Sequence, residues 1–81
     1  MPIEYRGLRA VLQGMVEVEE ADALLAWLQD THGAEVDLAG CTHLHPANLQ
    51  VLLAGAVRVA EWPHEATLRT WLEPVLGRNV Y

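Results

Sequence analysis

Cys41, His43 and His45 fall in the run "EVDLAGCTHLHPANLQVLLAG" (35–55), a C-x-H-x-H spacing that raises three kinds of chemistry. In extended backbone, residues two apart point to the same side, and a Cys/His row is a ligand set that transition metals accept. A tetrahedral site would need a fourth ligand, from His64 or a carboxylate, and ligands alternating in one short loop seldom supply the other three. The blander account has one imidazole bonded to backbone near the start of the next helix and the other in water, and it is preferred. A nucleophilic Cys41 would need a depressed pKa and a nearby base. His43 is close, but no oxyanion donor or substrate cleft is evident, so a small buried cysteine is the expectation. Glu19 and Glu20 are adjacent and do not face one another on a helix, which makes them a poor acid/base pair. Trp27, Trp62 and Trp71 are expected to pack in the core or at its rim; an exposed one would mark a contact surface.

The elements that position these residues follow from periodicity. Ile3-Glu4-Tyr5 and Leu8 to Gln13 alternate about Arg6-Gly7, which predicts two short strands and a tight turn, with Leu8, Ala10 and Leu12 on one face. Gly14 is expected to end the second strand. From Val18 the period becomes helical: Val18, Ala21, Leu25 and Leu28, widened by Leu24 and Trp27, with Glu17, Glu19, Glu20 and Asp22 crowding the first turns and Gly33 just past the last. Glu35 to Leu38 reads as a central buried strand. Pro46 suits the first position of a second helix whose apolar face is Leu49, Leu52, Leu53 and Ala56. Residues 57–62 read as a fourth strand. Pro63 is expected to open a last helix carrying Leu68, Trp71, Leu72 and Val75, which Pro74 should end or kink. The order ββαβαβα predicts an α/β fold: a small mixed sheet of about four strands packed by three helices, in one domain over residues 1–81.

Composition narrows the function classes. The apolar fraction of 52% makes a packed core feasible in only 81 residues. One cysteine excludes an internal disulfide and favours a reducing compartment. No stretch approaches the ~20 apolar residues of a bilayer span, and the first residues lack a signal-peptide core; a soluble, cytoplasmic protein without membrane insertion is expected. The net charge is −6; the five basic residues are all Arg and scattered, which disfavours nucleic acid as a partner. The chain has no Ser.

Two stretches resemble the STAS domain, the fold of anti-sigma factor antagonists and of the cytoplasmic tails of sulphate transporters. "LRAVLQGMVEVEEADALLAWL" is similar to that family's second strand, glycine and first helix. "VDLAGCTHLHPANLQVLLA" resembles its signature: a hydrophobic-Asp-Leu strand, a loop with a small residue and Thr, then Asp-Ser-Ser/Ala-Gly-Leu opening the second helix, without a gap from Val36 to Leu53. The departures bear on function. His45 stands where the family usually has Asp, Pro46 where antagonists carry the phosphorylatable Ser, and Asn48 where the helix-opening Gly lies. The resemblance therefore implies the fold and a non-catalytic, regulatory protein–protein role in a bacterial cytoplasm, without the phospho-switch; Thr42 is the only hydroxyl left in the loop.

It places partner binding at His43, His45, Asn48, Leu49 and Gln50, with Gly14 and Met15 beside them, and Pro46 as the non-phosphorylatable counterpart of the acceptor. The implied partner is another protein, an anti-sigma factor or kinase-like protein or a transporter ATPase; a homodimer is also compatible, and no cofactor is implied. Two rival readings are a small accessory subunit of a membrane-transport ATPase complex and a metal-binding module on Cys41, His43, His45 and His64.

Overall fold

The structure is a computed structural model and describes residues 2–77. The expected order is present, with two further strands interleaved: β1 (Ile3–Arg6), β2 (Arg9–Leu12), β3 (Gly14–Val16), α1 (Ala21–Gln29), β4 (Glu35–Asp37), β5 (Cys41–Leu44), α2 (Pro46–Ala54), β6 (Arg58–Glu61) and α3 (Ala66–Leu76). β1, β2, β4 and β6 form one mixed sheet in that order; β1 runs antiparallel to β2, and the β2/β4 and β4/β6 pairs are parallel. β3 and β5 form a separate two-stranded parallel sheet. The fold class is thus the expected mixed α/β arrangement of sheet and three helices.

Alternation along the strands divides the main sheet into two faces. Ala10, Leu12 and Val36 are wholly buried and join Leu24, Leu28, Leu49, Leu52, Leu68, Leu72 and Leu76 in one core. The opposite face is charged. Register sets Arg9 against Glu35 and Glu35 against Arg58, so three residues from three strands make one row. Arg9 Nε donates to Glu35 Oε1 at 2.8 Å and Arg58 donates to Oε2 at 3.1 Å. These hydrogen bonds, Arg9's first and Arg58's second, hold the Glu35 carboxyl below its usual range.

Several local expectations are corrected. Leu8 lies in the two-residue turn between β1 and β2, not on the core face, and is 58% exposed. The first helix is preceded by a 3-10 turn, Val18–Glu20, and its buried line is Leu24–Leu28 with Trp27 alongside. Val18 and Leu25 are therefore turned outward, because the core takes the stripe about one residue, or ~100°, round the helix. α1 also stops at Gln29, well before Gly33. In α2, Leu49 and Leu52 are buried as expected, but Ala56 lies beyond the helix and is exposed. The last helix opens at Ala66, not at Pro63, because the Glu65 carboxylate caps it by accepting from the backbone N–H groups of Thr67 and Leu68. Its buried line is Leu68, Leu72 and Leu76; Trp71 is 46% exposed, and Pro74 sits inside the helix without ending it. No helix among the described residues is long and apolar enough to cross a membrane.

Candidate contact surface

The loop expected at residues 39–45 is largely strand. β5 pairs with β3 so that Gly14 faces Cys41 and Met15 faces His43, which leaves Thr42 as an extra residue in β5. Two residues opposite one make a β-bulge, and Gly14 at φ 66° supplies backbone that a side chain would resist. The bulge breaks the two-residue period. Cys41 and Leu44 turn into the core, while Thr42 and His43 face out.

Cys41 and His43 consequently do not share a side. Cys41 is 1% exposed; its Sγ–H donates to the His43 carbonyl at 3.4 Å, and burial pushes its pKa up to about 11. That is the opposite of what a nucleophile or thiolate ligand requires. His43 Nε2 lies 3.4 Å from Glu17 Oε1, both side chains being about half exposed. His45 Nδ1 accepts from the Ala47 N–H at 3.0 Å and so caps α2, with Pro46 at the first helical position. One imidazole serves a helix start and the other faces water, as the blander account has it. His64 is exposed, and among the described residues no three His, Cys, Asp or Glu are grouped to hold a metal. The row Cys41, His43, His45 and His64 is not assembled into a site.

Two of the residues expected at the contact surface belong to the interior instead. Asn48 is wholly buried and Leu49 is 8% exposed. Asn48 Nδ2 donates to the Glu17 carbonyl at 2.6 Å and to that of Val16 at 3.4 Å, while its Oδ1 has no partner among the described residues. The His45 N–H also donates to the Val16 carbonyl, at 2.9 Å. Asn48 and His45 together moor the end of β3 to the start of α2. A polar residue one turn into an apolar helix suggests an exposed position to sequence reasoning; only the carbonyls of Val16 and Glu17, at and just past the end of β3, explain why it lies inside.

What remains outside is Met15, 61% exposed and directly opposite His43, together with Thr42 and Gln50, with His45 and Gly14 partly exposed. Sequence reasoning missed two features. The outer-face row Arg9–Glu35–Arg58 was signalled only by a charged residue at the start of each parallel strand. The exposure of Val18 and Leu25 had no signal separable from the helical period. Comparison with protein-family models, curated proteins and solved structures returned no match for this chain.

Proposed function

We propose that this chain is a non-catalytic, STAS-like regulatory module that works by protein–protein contact through the outer side of the β3/β5 pair and the start of α2. The observation that carries the reading is the pairing of Met15 with His43 on an exposed strand face, immediately before a helix opened by His45 and Pro46. Contact is favoured over chemistry because the groups with chemical potential have structural work: the Cys41 thiol is buried with its pKa raised, and His45 Nδ1 is used as a cap. The surface proper is Gly14, Met15, His43, His45 and Gln50; Asn48 and Leu49 support it from beneath. With Pro46 at the family's acceptor position, the module has no phospho-switch there. Its setting is the bacterial cytoplasm, and its partner is a regulatory protein such as an anti-sigma factor or kinase.

The test is quantitative affinity capture with wild-type protein and the Met15→Ala and His43→Ala variants. Both positions are exposed, so their melting temperatures should match wild type. Each variant should recover markedly less of the same captured protein. Equal recovery by all three proteins would reject this surface as the contact site.

A further inference from the structure

Beyond the exposed Met15 the chain carries an apolar stripe that lies outside the core cluster. Val18, in the 3-10 turn, and Leu25, in α1, stand seven residues apart with the partly exposed Ala21 between them, the spacing of one helical face. Val18 is 49% exposed and Leu25 39%, and Met15 lies three residues before Val18. Their companions in sequence are acids: Glu17, Glu19, Glu20 and Asp22. Among the described residues, Glu19, Glu20 and Asp22 have no basic group within 4 Å, and the one such partner of Glu17 is His43. Between Arg9 and Arg58 the chain has no Arg or Lys at all.

An apolar centre with a charged rim is the anatomy of a protein interface, and a rim of one sign selects a partner of the other. From these residues, and resting on the contact reading above, we infer that the partner presents a cationic amphipathic segment: apolar side chains seated on Met15, Val18 and Leu25, with Arg or Lys over the acidic rim. A second copy of this chain is disfavoured as the occupant, since it would bring another −6 against the same acids. Lipid headgroups and nucleic acid of negative charge are repelled in the same way.

The inference is tested by titrating isotope-labelled protein with a synthetic Leu/Lys peptide of about 18 residues patterned at the helical period, and with its Leu/Glu counterpart. The Leu/Lys peptide should shift the amide signals of Met15, Val18 and Leu25, the Leu/Glu peptide should not, and binding should weaken as salt screens the rim. The double variant Val18→Ala/Leu25→Ala, at two exposed positions, should keep its fold and lose roughly tenfold or more in affinity. Equal binding of the Leu/Glu peptide at the same amides would overturn the cationic partner while leaving a contact surface in place. Shifts mapping elsewhere, unchanged affinity in the double variant, or no binding of either peptide would overturn the inference itself; the capture experiment above still decides the contact reading independently. Concentration-dependent dimerisation that perturbs these amides would replace the partner with a second copy.

Discussion

A thiol that is 1% exposed, with its hydrogen on the His43 carbonyl, has no water to stabilise a thiolate, which is why burial drives the Cys41 pKa up to about 11. The expected outcome is inertness: a thiol-specific reagent at neutral pH should leave Cys41 unmodified in the native protein and label it stoichiometrically once the chain is unfolded. Rapid labelling without unfolding would mean that β5 opens far more readily than its buried Cys41 and Leu44 imply. That Cys41 would be buried was readable from the sequence, since a lone small cysteine beside apolar strands usually packs. Its separation from His43 was not. The two-residue period puts them together, and only the extra residue Thr42, which follows from pairing with a strand far away in the chain, sends them to opposite sides.

Among the elements, the helices were legible and the second sheet was not. Pro46 and the spacing of Leu49 and Leu52 mark α2 unambiguously, whereas β3 and β5 have three and four residues and are defined by each other. Length is not the obstacle, since β4 also has three residues; the extra residue Thr42 breaks the alternation of β5, and no local signal announces a partner some thirty residues away. The start of α3 was misplaced for a different reason: Pro63 is a strong local signal, but the Glu65 carboxylate offers two acceptors to the first turn and wins. Caps of this kind are measurable. His45→Ala removes the acceptor of the Ala47 N–H and should cost about 0.5–2 kcal/mol in denaturant unfolding, and His45→Asp, a preferred capping residue, should recover most of it. If Asp fails to recover the loss, the imidazole is stabilising α2 by packing and not as a cap. Leu52, wholly buried on the same helix, should cost about 2–5 kcal/mol as Leu52→Ala. A cost under about 0.5 kcal/mol would belong to a surface position and would mean that α2 is rotated.

Taken whole, the molecule joins a solvent-facing charged sheet surface to an apolar core, and the Arg9–Glu35–Arg58 row ties three of the four main strands together on the wet side. Such a row makes stability depend on pH with a sign fixed by Glu35. Its carboxyl, held down by hydrogen bonds from Arg9 and then Arg58, titrates lower in the folded protein than in the unfolded chain. In the interval between those two values the unfolded chain binds more protons, so stability falls as pH falls through it. The contribution is fully present above the ordinary carboxylate pKa of about 4.3 and is lost as pH drops through the depressed folded value. Glu35→Gln keeps the shape and removes the charge. The variant should therefore be less stable than wild type at pH 7, and the two unfolding midpoints should converge as the buffer is taken into strong acid. Because the row is open to solvent, the gap at pH 7 should also narrow when salt is added. A gap that stayed constant from neutral to strongly acidic pH would show that Glu35 acts by packing against its neighbours and not through its charge. Arg58→Gln supplies the complementary comparison: it leaves the Arg9 hydrogen bond, the larger cause of the shift, so its loss at pH 7 should be smaller than that of Glu35→Gln.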